Sequence, residues 1–441
     1  MTEISSFAQA QAYLLETIDE MLSPRTSYKL DRIRALLREL GDPHRAYPTV
    51  HIGGTSGKGS TSTMIANALQ AAGKRTGLHT KPHLHSMTER ARISGLPVAQ
   101  ERFASLLAEM MPAIARTASR YGRPTYYETL LALAFKYFAE ERVDVAVIEV
   151  GLGGRLDGTN VVLPVVTAIT SIGYDHTDVL GSTIEAIAFE KAGIAKPNVP
   201  LVLAPVSAAA RAVVERYAAE VGAPIVYVAD AVQIAHQDDD DPRTQVLAVT
   251  TLRASYRLTL PVLGIFQRTN AATAIVVLEQ LGDQLRPSPG DVVRAFGELS
   301  IPGRMEPLGT KPTVIFDIAH NAEKAESLVA SLRERFPGRR IHYVVAIGEN
   351  KDAGRILEIL AGVPSTFTFT TFSAMGRKAS PPHRLATIAE SLGTWGRAIG
   401  EPVEALTVAR RMATINDVVV VTGSTFIVAG LREWYVPTAV S

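Results

Sequence analysis

The segment His51-Ile52-Gly53-Gly54-Thr55-Ser56-Gly57-Lys58-Gly59-Ser60-Thr61 constrains this chain more than any other stretch. A short β-type run, residues 48–52, precedes it. Residues 60–72 after it have the composition of a helix that Gly73 ends. A strand feeding a glycine-rich turn that opens a helix is how an α/β unit begins. It is also a cradle for phosphate. Backbone N–H groups and the helix N-terminus face the oxygens, Lys58 can reach the β and γ positions, and the Ser60 hydroxyl can hold Mg2+. The spacing differs from the common phosphate-binding loop. Gly59 separates Lys58 from the hydroxyl residue, and no glycine stands at the usual first position.

The alternation of strand and helix continues along the chain. Buried strands are expected at 143–150, 162–170 and 200–204, with helices at 103–117, 128–139 and 183–195. Before the loop, helical spacing covers 13–21 and 30–40, until Gly41-Asp42-Pro43 breaks it. Residues 225–260 read as a peripheral β segment, in which Asp238 to Asp241 form a solvated acidic loop. After Ser300-Ile301-Pro302-Gly303 the pattern restarts, with strands at 313–317, 341–347, 366–372 and 418–422. The expected organisation is an N-terminal domain, 1–299, with a mainly parallel sheet covered by helices, and a smaller α/β domain, 300–441. Ligands in such folds sit at the carboxyl ends of strands, so the active site is expected in the cleft between the domains.

Composition removes several classes of function. With 45 Lys and Arg against 44 Asp and Glu, no global field draws the chain to nucleic acid or an anionic membrane. Glu3, Glu16, Asp19 and Glu20 interrupt the N-terminal apolar residues, unlike a secretory leader. The apolar stretch 418–431 is too short to span a bilayer. A cytoplasmic protein is expected. The chain has no cysteine, which excludes disulfides, thiolate metal sites and cysteine nucleophiles.

Several blocks come after the loop in order. They are Gly77-Leu78-His79-Thr80-Lys81-Pro82-His83-Leu84, Glu89-Arg90-Ala91-Arg92-Ile93, and Glu149-Val150-Gly151-Leu152-Gly153-Gly154-Arg155-Leu156-Asp157. Then come His176 with Leu180-Gly181, Glu190-Lys191-Ala192-Gly193-Ile194, Gln267 with Asn270, Pro302-Gly303-Arg304-Met305-Glu306, and Asp317-Ile318-Ala319-His320-Asn321. Taken alone, Glu149 ends a buried strand where a carboxylate suits a hard divalent cation or an ion pair with Arg155. A lone His176 is more often structural than a ligand, Glu190-Lys191 reads as a surface pair on a helix, and Asp317 or His320 could cap one.

As a collinear set from about residue 30 to 430, the blocks resemble the folylpolyglutamate and dihydrofolate synthases, a branch of the Mur ligases. The resemblance implies a P-loop-containing central domain and a smaller, Rossmann-like C-terminal α/β domain. It implies ATP contacts from Gly54, Thr55, Ser56, Gly57, Lys58, Gly59, Ser60, Thr61, Asn270, Arg304 and Asp317. Arginine suits such a role because its fork of donors matches phosphate oxygens. Ser60, Glu149, His176 and Lys191 would hold Mg2+, with Lys191 carried as a carbamate. Lys58, His176 and Lys191 are the implied catalytic residues, and Lys81, His83, Arg155, Asp157, His320 and Ser424 the implied substrate contacts. Ser56, Lys81 and Phe266 depart from the family's usual asparagine, serine and histidine. Lys81 is the sharpest departure. A lysine about 4 Å from Mg2+ would be repelled by roughly 8 kcal/mol at an effective dielectric of about 20, so its ammonium must point elsewhere, meet a phosphate or substrate carboxylate, or replace a second metal's charge.

The implied reaction is an ATP-dependent amide ligation. A folate-type acid attacks the γ-phosphoryl group, and glutamate's amino group then attacks the acyl phosphate, releasing ADP and phosphate. Expected partners are small molecules only (ATP, glutamate and a pterin-type acid), acting on a monomer. Other readings are a Mur-type ligase for a different acid, and a P-loop phosphohydrolase or switch that forms no amide.

Overall fold

The computed structural model describes residues 4–17, 30–237, 241–374 and 377–436. They form two compact units. The first comprises Met1–Ile234, Val249–Tyr256 and Thr269–Phe296, and the second Ala235–Ala248, Arg257–Arg268 and Gly297–Ser441. Among the described residues no helix is long and apolar enough to cross a membrane.

In the first unit eight strands make one sheet: β1 (Thr49–Gly53), β2 (Thr76–His79), β3 (Arg92–Ile93), β4 (Leu96–Pro97), β5 (Val145–Glu149), β6 (Pro164–Ile169), β7 (Leu201–Leu203) and β8 (Ile225–Tyr227). Their order is β4-β3-β2-β5-β1-β6-β7-β8. From β2 to β8 all neighbours are parallel, and only β3, paired antiparallel with both β2 and β4, runs against them. All five positions of β1 and of β5 are buried, the apolar run expected of a sheet covered on both faces. The central strand β1 has β5 on one side and β6 on the other. The chain leaves β1 towards β2 and later crosses to β6, so the topological switch falls at the carboxyl end of β1, where the glycine loop begins.

Local chemistry sets the helix boundaries. The helix Lys58–Ala71 starts directly from the loop, and Thr183 starts Ile184–Ala192, its hydroxyl accepting from Ala186 N at 3.2 Å. The helix expected at 13–21 lies at Phe7–Thr17, where Ala10, Tyr13 and Leu14 supply the buried face. Residues 18–21 lie outside the described residues. The peripheral β segment expected at 225–260 divides between two sheets. Ile225–Tyr227 is the outermost strand of the main sheet, joined to β7 by a helical crossover, Ala208–Val221. The separate sheet begins only at Val232, with β9 (Val232–Gln237), β10 (Gln245–Thr251) and β11 (Ser255–Leu260) in the order β11-β10-β9. Of the acidic run, Asp238 to Asp240 lie outside the described residues, and Asp241 pairs with Arg243 at 2.9 Å.

The second unit holds a six-stranded sheet: β12 (Glu306–Thr310), β13 (Thr313–Phe316), β14 (Ile341–Val345), β15 (Ser365–Phe369), β16 (Gly396–Ala398) and β17 (Val418–Thr422). The order is β12-β13-β17-β14-β15-β16, parallel except for β12. The carboxyl ends of β13 and β17 deliver Asp317, His320 and Ser424. At the start of β12, buried Glu306 takes a bidentate bond from Arg432, with both its oxygens 2.8 Å from guanidinium nitrogens, and also accepts from Gly303 N.

Candidate active site

Gly53 ends β1, and residues 54–57 turn the chain into the helix that starts at Lys58. Gly54 and Gly57 have φ of +139° and +83°, and a Cβ on Gly57 would collide with Oδ1 of Asn270. Asn270 is therefore brought onto the loop. The loop is fastened to the carboxyl end of β6. Thr55 N donates to Ser171 O at 2.9 Å, Ser56 N to Ser171 Oγ at 2.8 Å, and Thr170 Oγ1 to Ser56 O at 2.6 Å.

Two lysines meet at one carbonyl in this loop. Lys58 Nζ folds back to donate to Gly54 O and Thr55 O, each at 3.0 Å, and Lys191 Nζ donates to the same Gly54 O at 2.9 Å. Their nitrogens are thus no more than about 6 Å apart, a spacing at which two unit charges repel by about 3 kcal/mol at an effective dielectric of about 20. An anion beside them would offset that repulsion. Lys191 is 3% exposed, so Glu190-Lys191 is not a surface pair: the helix buries Ile187, Ala188, Lys191 and Ala192 together. Glu190 instead receives Arg155, Nη2 to Oε1, at 2.7 Å. Arg155 is therefore the ion partner of Glu190, not of Glu149.

Glu149 closes β5, the neighbour of β1, and is 3% exposed. Its Oε2 accepts from Lys81 N at 3.0 Å, so Lys81 meets this carboxylate through its backbone. A Cβ on Gly59 would lie 3.3 Å from the same oxygen. Glycine at 59 lets a carboxylate lie against the first turn of the helix Lys58–Ala71, which also holds buried Ser60. His176 precedes the one-turn helix Thr177–Leu180 with φ +51°, and its side chain is 53% exposed, Nε2 lying 3.8 Å from Asp175 Oδ1. Among the described residues no group of three or more His, Asp and Glu is gathered for a metal.

Two expected substrate contacts have partners within the fold. His83 Nδ1 accepts from Arg90 Nε at 3.0 Å, and burial, then the Arg90 charge, lower its pKa to about 4, leaving a neutral acceptor. Asp157 accepts from Leu152 N, Thr159 N and Thr159 Oγ1 at 2.7, 2.9 and 2.6 Å, and from Tyr127 Oη at 3.2 Å.

In the second unit Asp317 is buried and accepts from Met305 N at 2.9 Å and Ala319 N at 2.8 Å. Burial raises its pKa, opposed first by the charge of Arg304. His320 Nδ1 bonds Ile318 O at 2.9 Å. That assigns the proton to Nδ1 and leaves Nε2 to accept from Lys324 Nζ at 3.2 Å. Burial and Lys324 lower its pKa to about 4, so the ring is neutral near pH 7. Neither residue caps the helix Ala322–Arg335. Asn321 does, accepting from Lys324 N at 3.0 Å, and Ser424 caps Thr425–Tyr435 by accepting from Phe426 N at 3.1 Å.

Sequence reasoning missed Thr170, Ser171 and Asn160. The first two had a signal, a hydroxyl pair directly after a buried parallel strand, on the edge where the glycine loop also emerges.

Known families and proteins match most of the chain. Residues 52–278 match the Mur ligase middle domain, and 303–425 the Mur ligase glutamate ligase domain. A Bacillus subtilis dihydrofolate synthase/folylpolyglutamate synthase is 34% identical over 409 residues, 92% of this chain and 94% of the relative. Among solved structures, folylpolyglutamate synthase from Thermotoga maritima superposes with a TM-score of 0.86 at 31% identity, covering 97% of this chain and 96% of its own. E. coli FolC, solved in complex with DHPP and ADP, gives 0.85 at 29% identity, with 98% of each chain covered.

Proposed function

The chain belongs to the folylpolyglutamate and dihydrofolate synthase family of the Mur ligases, and we propose that it joins L-glutamate to a folate-type acid, dihydropteroate, tetrahydrofolate or both, with ATP as co-substrate. The observation that carries this reading is the convergence, at the carboxyl edge of one parallel sheet, of the glycine loop, Lys58, buried Glu149 and buried Lys191. The acid's carboxylate attacks the γ-phosphoryl group and ADP leaves. The amino group of glutamate then attacks the acyl carbon, and phosphate leaves as the amide forms. No protein nucleophile is needed, so the chain's task is alignment and charge neutralisation.

Residues 54–61 hold the triphosphate through backbone N–H groups and Lys58, with Asn270, Arg304 and Asp317 as further nucleotide contacts. Lys81, His83, Arg155, Asp157, His320 and Ser424 contact the organic substrates. Ser60, Glu149, His176 and Lys191 are the donor set for Mg2+. A hydroxyl and a buried carboxylate beside the loop suit a hard cation, which commonly takes only one or two carboxylates and completes its shell with phosphate oxygens and water. Lys191 fits this set as a carbamate, which turns one of the two crowded cations into an anion. When bound, the metal would neutralise phosphate charge.

The test is phosphate release with MgATP, omitting glutamate, dihydropteroate or tetrahydrofolate in turn, with mass spectrometry of the products. Release that requires both glutamate and a pterin acid, with a product one glutamate heavier, is expected. Turnover of ATP indifferent to any pterin acid would refute the folate assignment.

A further inference from the structure

The turn Gly158–Val161 plays no part in the ligation scheme, yet the side chains around it hold the site together. Asp157 fastens the turn after β5 through Leu152 N, and Thr159 Oγ1 bonds Nε2 of His51 in β1 at 2.9 Å. Asn160 reaches furthest. It is 8% exposed, and its Nδ2 donates to Arg155 O at 3.0 Å and Gly193 O at 2.9 Å, while its Oδ1 accepts from Lys196 Nζ at 2.6 Å. Two carbonyls that can only accept and an ammonium that can only donate fix the orientation of the amide.

These bonds lock the segment after Glu149 to the end of the helix that carries Lys191. Gly193 lies two residues past Lys191, Arg155 N donates to Glu190 O at 2.7 Å, and a Cβ on Gly193 would strike the Arg155 side chain. Lys196 has no carboxylate partner among the described residues. Burial, then the charge of Arg34, lower its pKa to about 8. A half-buried cation without a counter-ion is costly unless hydrogen bonds replace its water, and those of Lys196 end on Asn160, at Oδ1 (2.6 Å) and at the backbone O (3.5 Å).

We propose that Asn160 is the positioning residue that sets Lys191 against the nucleotide loop, and that Lys196 acts on the reaction through Asn160. The inference rests on the proposed role of Lys191 at the phosphate and metal site.

The test is a double-mutant cycle on the full chain, Asn160→Ala with Lys191→Ala, read as kcat and as MgATP affinity by calorimetry, which stays measurable when turnover is lost. Asn160→Ala should lower kcat or weaken MgATP binding by about tenfold or more, the usual cost of losing a residue that orients a ligand group, and change neither by more than about twofold once Lys191 is absent. Lys196→Met, which leaves Asn160 in place, should give a smaller loss that also vanishes in Lys191→Ala. Equal losses in both backgrounds would mean that Asn160 only supports the fold, and would overturn the inference. Full activity in Lys191→Ala would instead overturn the role of Lys191 itself.

Discussion

Acidification from pH 8 to pH 5 should destabilise the first unit, in which burial lowers the pKa values of His44, His51, His79 and His83, and the two most deeply buried of these rings account for a definite share. His51 and His79 are fully buried, and burial lowers their pKa values from 6.5 to about 3 and about 4. The charge of Lys196 adds to the effect at His51, whereas the bond to Arg90 O opposes it at His79. Thr159 Oγ1 donates to Asp157 at 2.6 Å, so His51 must carry its proton on Nε2 to complete the chain. The unfolded chain therefore takes up protons that the folded one refuses. The stability is fully present above pH 6.5 and is lost as pH falls from 6.5 towards the folded values. At pH 5 each ring has lost about 2 kcal/mol, at 1.36 kcal/mol per unit, and the pair about 4 kcal/mol. Urea unfolding monitored by far-ultraviolet circular dichroism measures it. The only two tryptophans, Trp395 and Trp434, lie in the second unit, so their fluorescence tracks that unit separately. His51→Asn should be less stable at pH 8 yet lose about 2 kcal/mol less than the parent between pH 8 and pH 5. Equal losses in parent and variant would refute the reasoning.

Three further outcomes are expected. Gly57→Ala, which forces a side chain into φ +83° and onto Asn270, should raise the KM for ATP by about tenfold or more, measured by phosphate release. Glu149→Gln keeps an acceptor for Lys81 N but removes the charge; it should lower kcat by about a hundredfold, with the Tm shifting by no more than a few degrees. Arg432→Met strands the buried Glu306 carboxylate and should cost the second unit about 3 kcal/mol or more, read as an earlier loss of native tryptophan fluorescence in urea.

The parallel core strands were legible because burial on both faces writes them as apolar runs. Val418 to Thr422 is the clearest case: five residues, all buried, with the expected bounds. The edges were not legible. β12 contains Pro307 and Gly309 with a register shift between them, and β16 is three residues long. β2 reads Thr-Gly-Leu-His, too polar for a strand on its own pattern. It exists because β5 supplies a parallel partner and because Gly77 admits the Phe138 ring, which a Cβ would approach to 3.0 Å. Such support comes from residues about 60 positions away, and no local window contains it.

The site divides in the same way. Glu149 could be found because a carboxylate ending a buried strand already breaks the pattern. Lys191 could not be found from helical periodicity, which assigns a lysine to solvent; its burial is set by the Gly54 carbonyl, 137 residues earlier. Gly59 joins the two cases. It is what takes the loop away from the common spacing, and from the sequence alone that looked like a departure from the motif. With the Glu149 carboxylate 3.3 Å from where its Cβ would stand, the extra glycine eases the approach of β5's charge to the helix that follows the loop. A loop of the common spacing would put a side chain at this place, and that carboxylate would have to give by a few tenths of an ångström. The unusual spacing and the buried glutamate are therefore one feature, written in two places more than eighty residues apart.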